Sequence, residues 1–130
     1  MMYEKYILCK DSLQNISQNG ETTGFSLQIR IPYYRGVPLS MVEDLKVVID
    51  STEYRGDALR FTVGGGTFSL AEMPTVTFFR WEFGEKATLQ VSKAGGLPAG
   101  DHKVEVYVLL RISYMPWRGY TKAWADMQLA

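Results

Sequence analysis

Residues 104–114 form the longest segment of the chain in which hydrophobic and polar positions alternate. A period of two residues predicts a β-strand, because successive side chains point to opposite faces of a sheet. The apolar face of this strand requires a second layer to cover it. Tyr107 and Leu109 lie on the opposite face, which indicates that part of that face is covered too, either by the chain's own loops or by another chain. The apolar face comprises Val104, Val106, Val108, Leu110, Ile112 and Tyr114.

Shorter alternating segments recur along the chain and are separated by turn signals such as Asn19-Gly20 and the glycine run 64–66. Strands with a turn signal every 8 to 12 residues or so are typical of all-β sandwiches. A length of 130 residues fits a single core. We therefore predict one antiparallel β-sandwich domain over residues 1–130, immunoglobulin-like in layout. The segments are 25–31, 45–49, 59–63 and 87–91.

Three segments fit this pattern less well. Residues 3–18 are interpreted as one bent edge strand or two short strands. Residues 32–41 contain two prolines and are too irregular for either period, so they are predicted to form a loop. Residues 116–130 are interpreted as an edge strand or a tail that contacts a partner, with Trp124 and its alternate neighbours on one side.

Charge and composition exclude several classes of protein. Fourteen basic and fourteen acidic residues give a formal net charge of zero, so the positive field that binds nucleic acid or an anionic membrane is missing. A near-neutral surface also favours burial in an assembly. No apolar run approaches the length of about 20 residues that spans a membrane, and residues 1–5 do not resemble a signal peptide. We expect a cytoplasmic protein that binds neither nucleic acid nor a membrane.

Few residues in the chain can carry chemistry. Cys9 and His102 are the only cysteine and histidine, which argues against a metal site or a nucleophilic triad within this chain. His102 follows a turn and is predicted to be a hydrogen-bonded turn residue, and Cys9 to be a small buried hydrophobe. Paired carboxylates for a glycosidase stay open, because the sequence does not fix the separation of Glu43, Asp44, Glu82 and Glu85.

Two loops carry aromatic residues of the kinds found at interface hot spots. The first contains Tyr33, Tyr34 and Arg35, and the second contains Met115 and Trp117. These five residues are our predicted partner-binding residues. The alternative is that the same side chains fold back over the end of the sandwich core.

Several phrases of the sequence resemble the small β subunit of bacterial C-glycoside deglycosidases, and together they span residues 24–116. The resemblance does not extend to the segment after Pro116, and residues 75–79 are more apolar than the family pattern suggests. The phrases are 32–40 (PYYRGVPLS), 42–45 (VEDL), 60–63 (RFTV), 80–84 (RWEFG), 95–97 (GGL), 100–102 (GDH) and 111–116 (RISYMP).

The resemblance implies a β-sandwich subunit that pairs with a larger TIM-barrel α subunit similar to sugar-phosphate isomerases. It implies that the α subunit holds a divalent metal, expected to be manganese, and a histidine base. The complex would be a carbon–carbon lyase that cleaves the C–C bond of 3-oxo-C-glycosides of aromatic aglycones such as flavonoids. This chain would then need no cofactor and no catalytic residue, and would stabilise the α subunit and help to shape its active site.

A different class of function stays open beside this one. A stand-alone sugar- or aglycone-binding β-sandwich could use the same loop aromatics as a stacking platform. Binding of carbohydrate by the isolated chain would favour that interpretation, whereas turnover by the chain alone would favour the paired-carboxylate glycosidase.

Overall fold

Eleven β-strands make up most of the part of the chain that the structure describes, a computed structural model covering residues 7–9, 11–30, 36–76, 80–82, 85–110 and 121–129. Three one-turn 3-10 helices lie between strands, at Leu39–Met41, Gly56–Ala58 and Met73–Thr75. The strands are β1 (Gln14–Gln18), β2 (Glu21–Ile29), β3 (Val37–Pro38), β4 (Val42–Ile49), β5 (Thr52–Arg55), β6 (Leu59–Val63), β7 (Gly66–Ser69), β8 (Arg80–Trp81), β9 (Ala87–Ser92), β10 (Gly100–Leu110) and β11 (Thr121–Leu129).

The strands form two large antiparallel sheets and one small ribbon. The five-stranded sheet has the order β1-β2-β9-β6-β7, the four-stranded sheet has the order β11-β10-β4-β5, and β3 pairs with β8. In an immunoglobulin-like sandwich the strands follow A-B-E-D in one sheet and C-F-G in the other. Both orders are present when β1, β2, β6 and β9 are taken as A, B, D and E, and β4, β10 and β11 as C, F and G. The predicted all-β antiparallel architecture is confirmed.

The core lies between the two large sheets and is built mainly from alternate residues of β2, β4, β6, β9, β10 and β11, whereas β1, β5 and β7 contribute no buried side chain. Val104, Val106 and Val108 of β10 are buried, as their period of two predicts. The rings of Phe25 on β2 and Tyr54 on β5 meet edge to face at 5.4 Å, which joins one sheet to the other. The two apolar faces thus cover each other, which is the requirement that the sequence pattern imposed.

The first edge of the five-stranded sheet is a bent strand. Leu8 bridges to Ile29 at the end of β2, and the Cys9 N–H donates to the Gln28 carbonyl at 3.0 Å. After a break, β1 continues along β2 with an irregularity in register between Ile16 and Ser17. The interpretation of residues 3–18 as a bent edge strand or two short strands therefore holds for the described residues, and Cys9 is buried as expected.

The prediction of a loop over the whole of residues 32–41 is wrong for its second half. Val37 and Pro38 form β3, which pairs with Arg80 and Trp81 of β8, and Leu39 in the following 3-10 turn is fully buried. Each strand of this ribbon has two residues, which is too short for a period to show in the sequence. Its partner is also about 40 positions away, so no local signal could indicate the pairing.

Trp81 is the largest fully buried side chain among the described residues. Its ring packs edge to face on Phe61 of β6 at 5.1 Å, and its Nε1–H donates to the Glu85 carbonyl at 3.0 Å. The indole therefore joins the ribbon to the five-stranded sheet while its one polar atom is satisfied.

We predict that Trp81→Ala lowers the free energy of unfolding by about 3–5 kcal/mol, because a large cavity opens under the ribbon. Trp124→Ala is the matched control, since Trp124 is 52% exposed, and in dilute protein it should change stability by no more than about 0.5 kcal/mol. Urea denaturation of both variants measures the difference. Equal losses in the two would contradict this account of the core.

Candidate partner-binding surface

The five residues predicted to bind a partner, Tyr33, Tyr34, Arg35, Met115 and Trp117, all lie outside the described residues. Their role therefore stays a prediction. The structure does describe the strands on either side of them, and these strands show from which part of the sandwich the two segments continue.

Residues 31–35 and 111–120 continue from strand termini at one end of the sandwich. β10 finishes beside the start of β4, where Leu110 pairs with Val42, and β11 begins opposite Val108. The short link 93–99 joins the end of β9 to the start of β10 at the opposite end of the sandwich. The start of β9 therefore lies at the same end as the end of β10, and the end of β2 pairs beside it. We call this the upper end. The matching strand connections of antibody variable domains carry antigen-binding loops.

The β3–β8 ribbon stands at the upper end and fixes the residue that follows Arg35. The guanidinium of Arg80 donates to the Gly36 carbonyl and to Glu82 Oε1, both at 3.1 Å. A Cβ on Gly36 would collide with Glu82 Oε1 and would lie 2.9 Å from Glu82 Cα. Only glycine therefore allows the two strands to approach this closely, and the chain enters β3 from a fixed point.

Three of the carboxylates considered for a glycosidase have structural partners. Asp44 forms an ion pair with Arg55 at 2.8 Å and accepts the Leu45 N–H at 2.9 Å. Glu82 binds Arg80, and Glu85 Oε1 accepts the Glu82 N–H at 3.1 Å. Contacts of this kind order strands and turns.

The outer face of the four-stranded sheet is partly covered, as Tyr107 and Leu109 indicated, and the cover comes from the chain itself. Lys46 Nζ lies 4.3 Å from the centre of the Tyr107 ring, and Lys122 Nζ lies 5.6 Å from it. Lys122 also forms an ion pair of 2.8 Å with Glu105, and this contact lowers the pKa of the Glu105 carboxyl. Tyr107 is thus flanked by two cations, a favourable arrangement for an aromatic face.

Sequence reasoning did not find these two lysines or the Arg80–Gly36 contact. Lys46 and Lys122 come to Tyr107 through the register of β10 with β4 and β11. Each lysine occupies a polar position of an alternating segment, which is the signal that could have placed it on this face. The register itself depends on pairing between strands far apart in the chain, which alternation does not specify.

His102 is a hydrogen-bonded turn residue, as predicted. It is 5% exposed, its Nδ1 lies 2.6 Å from Asp50 Oδ2, and its Nε2 lies 2.7 Å from the Pro98 carbonyl. Both oxygens can only accept, so the ring satisfies both contacts when each nitrogen carries a proton. The hydrogen bond to Asp50, followed by that to Pro98, raises the pKa of His102. The hydrogen bond from His102, followed by that from the Lys103 N–H, lowers the pKa of Asp50.

Asp50 also forms two hydrogen bonds with the backbone of Lys103. Its Oδ1 accepts the Lys103 N–H at 2.8 Å, and its own N–H donates to the Lys103 carbonyl at 3.0 Å. Asp50 and Ser51 both have positive φ, 48° and 76°, a region that side chains other than glycine adopt at some cost. The turn between β4 and β5 is thereby tied to the start of β10.

We predict that His102→Gln lowers the free energy of unfolding by about 1–2 kcal/mol at pH 6, since a charge-assisted hydrogen bond to half-exposed Asp50 is lost. Because the folded-state pKa of His102 lies above 6.5, its stabilisation is complete below pH 6.5 and is lost as pH rises through that pKa. The lowered pKa of Asp50 means that its share is present above pH 3.8 and is lost as pH falls through the folded-state value.

Urea denaturation from pH 6 upward tests this prediction. His102 is the only histidine, and the groups that face it are Asp50 and, by its charge, Asp101. The wild type should lose stability toward higher pH more steeply than His102→Gln. Parallel pH profiles for the two proteins would contradict the prediction.

Within the described ranges of the chain, no three His, Cys, Asp or Glu side chains lie together in a way that could hold a metal ion. No helix in the same part of the chain is long and apolar enough to cross a membrane.

Fold and surface together define a small immunoglobulin-like β-sandwich protein in which a tightly packed ribbon supports one end. The sequence profile of the C-glycoside deglycosidase beta subunit family matches residues 3–114. The chain belongs to this family. The match covers the bent first strand and all of β2 to β10 and ends before β11, so it depends on most of the sandwich and not on one motif.

Individual relatives agree with the profile. The chain is 33% identical to the 3'-dehydrocarminate deglycosidase beta subunit of a Microbacterium species over 125 residues, which cover 96% of this chain and 90% of the relative. It is 32% identical to the C-glycoside deglycosidase beta subunit of Eubacterium cellulosolvens over 114 residues, 87% of this chain and 78% of the relative. A beta subunit from Arthrobacter globiformis is 30% identical over 93 residues, 71% and 70% of the two chains.

Proposed function

We propose that this chain is the non-catalytic β subunit of a heteromeric C-glycoside deglycosidase, a cytoplasmic lyase that cleaves the C–C bond between a 3-oxo sugar and an aromatic aglycone. The observation that carries the proposal is the match to relatives named as beta subunits, one of them over 96% of this chain. A beta-subunit name implies an α subunit as partner. We propose that this partner is a larger protein with a TIM-barrel fold.

The chemistry of the proposed reaction explains why two subunits would share the work. A keto group at C3 of the sugar acidifies the proton on the neighbouring C2, so a base can remove that proton. Elimination would then form a double bond between C1 and C2, while the electron pair of the broken C–C bond passes to the aglycone carbon, which takes up a proton. A divalent metal, which we expect to be manganese in the α subunit, would supply Lewis acidity at the keto oxygen. This chain would support that subunit and help to close the site around substrate.

The upper end is the surface that we assign to the α subunit, with Tyr33, Tyr34, Arg35, Met115 and Trp117 as its main contacts. Two features support the assignment. Both segments continue from strand termini at the same end, and the Arg80 contact to Gly36 fixes the residue next to Arg35. A rigid base reduces the conformational entropy that the contact residues lose on binding.

We predict that neither this chain alone nor the α subunit alone matches the activity of the two together. Cleavage of a 3-oxo-C-glucoside of a flavonoid, in the presence of manganese, would be followed by chromatography of the released aglycone. The three samples are this chain, the α subunit and the co-expressed pair, and we expect activity only in the pair or much greater activity there.

Each departure from that result has a distinct meaning. Full activity of the α subunit alone would contradict a supporting role for this chain. Two proteins that are inactive together and elute separately would favour the stand-alone binding module, which calorimetry with free sugars and aglycones would then examine. Turnover by this chain alone would favour the paired-carboxylate glycosidase.

We predict that the double substitution Tyr34→Ala and Trp117→Ala weakens assembly with the α subunit by about 2 kcal/mol or more, as truncation of aromatic hot spots does. Titration calorimetry or co-elution measures the loss. Trp124→Ala is the matched control, because it removes an exposed indole from the outer face of the four-stranded sheet, away from the upper end. Unchanged assembly in the double variant would remove these residues from the interface.

A further inference from the structure

The four edges of the two large sheets differ in how well they are protected. β1 is five residues long with an irregular register, and β5 and β7 have four residues each. β11 is nine residues long, contains neither proline nor glycine, and keeps an unbroken register with β10. Short or bulged edges resist pairing with other chains, whereas a long regular edge offers a template for it. Among the described strands, β11 is that edge.

The hydrogen bond between β10 and the residue after β4 shows which backbone groups of β11 face outward. The Lys103 carbonyl accepts from Asp50, so the backbone of Lys103 is turned toward β4. Successive residues of a strand turn their N–H and C=O groups to opposite sides. Val104 is therefore turned toward β11, where it pairs with Ala125. By the same alternation Trp124 turns its N–H and C=O away from β10, toward the free edge.

Lys122, Trp124 and Asp126 share this outward backbone direction, and their side chains are all exposed on the outer face of the sheet. Trp124, at 52% exposure, is the one large hydrophobic residue in the described part of the chain that is exposed. A strand that pairs here would form hydrogen bonds with these three residues and would cover the indole.

The charges of these side chains are self-complementary when two β11 strands pair antiparallel. In an antiparallel pairing of two β11 strands centred on Trp124, Lys122 of each copy lies opposite Asp126 of the other, and the two Trp124 residues face each other. On the inner face Ala123 meets Ala125, which leaves room for close approach. Opposite charges and aromatic pairs directly across strands stabilise a sheet, and a two-fold axis produces each ion pair twice.

Other registers lose this match. A centre on Ala125 places Lys122 opposite Gln128 and Trp124 opposite Asp126, so neither charge meets its opposite. The centre on Trp124 also continues the charge pattern of the sheet itself. Asp126 already has Lys103 as its cross-strand neighbour on β10, so it would lie between two lysines in the joined sheet.

We propose that two copies of this chain associate through β11, with Trp124 at the two-fold axis, and join two four-stranded sheets into one of eight strands. The occupant of the edge is a second copy of the chain, because the charge match arises only when the strand meets itself. The proposal goes beyond the proposed function and does not depend on it, since the upper end is a different surface.

Charge exchange tests the proposal on the full chain. Sedimentation velocity over a range of concentrations should show a reversible dimer. Lys122→Asp and Asp126→Lys should each weaken dimerisation about tenfold or more, since two attractive pairs become repulsive. The variant carrying both substitutions should restore it. Circular dichroism checks that every variant is folded.

A monomeric wild type at high concentration, or a dimer that both single substitutions leave unchanged, would overturn the proposal. The proposal would also be overturned if added α subunit removed the dimer by binding along β11 in place of the second copy.

Crosslinking provides a second test that does not depend on affinity. Paired residues of an antiparallel ladder have Cα atoms about 5.5 Å apart, within the range of a disulfide. Trp124→Cys should therefore form a covalent dimer on oxidation. Gln128→Cys is the matched control, because Gln128 is exposed on the same face, takes no part in the charge match, and its two copies would be eight residues apart along the strand, about 26 Å. Cys9 is buried and present in both. Crosslinking of both variants, or of the control alone, would overturn the register.

Discussion

The contact of Asp50 with His102 and Lys103 is the interaction on which the arrangement of the four-stranded sheet depends. It ties the turn after β4 to the start of β10, the strand that pairs on both sides and faces the core. With this end held, the register of β10 fixes β4 on one side and β11 on the other. Two left-handed residues without glycine are tolerated in the turn because Asp50 makes three hydrogen bonds there, two through its side chain and one through its backbone N–H.

Most of the fold could be predicted from the sequence because its strands are long enough to alternate. Leu45, Val47 and Ile49 show the period of two, and all three are buried. The pairing of β3 with β8 could not be predicted, since β3 has only two residues and its partner is about 40 positions away. Register was equally beyond reach, because it depends on contacts such as Asp50 with His102 between residues about 50 positions apart.

The candidate site, like the fold, has some features that the sequence predicts and others that it does not. Residue type alone was enough to interpret His102 as structural, whereas the selection of Tyr34 and Trp117 as binding residues stays a prediction. Ordered phrases of sequence were enough to place the chain in its family. The lysines over Tyr107 and the close approach of Gly36 to Glu82 required coordinates, because each depends on how separate strands are aligned.

The molecule has a part that must stay constant, which is the β3–β8 ribbon and the strands beneath it. It also has a part that can change, which is the two segments that continue from the upper end. Residues 31–35 and 111–120 are attached to termini whose positions are set below them, by the register of β10 and by the packing of Trp81 on Phe61. A change in the length or composition of either segment leaves these two determinants in place, since neither depends on a residue of 31–35 or 111–120. Members of one family could in this way differ in these segments and share the same sandwich.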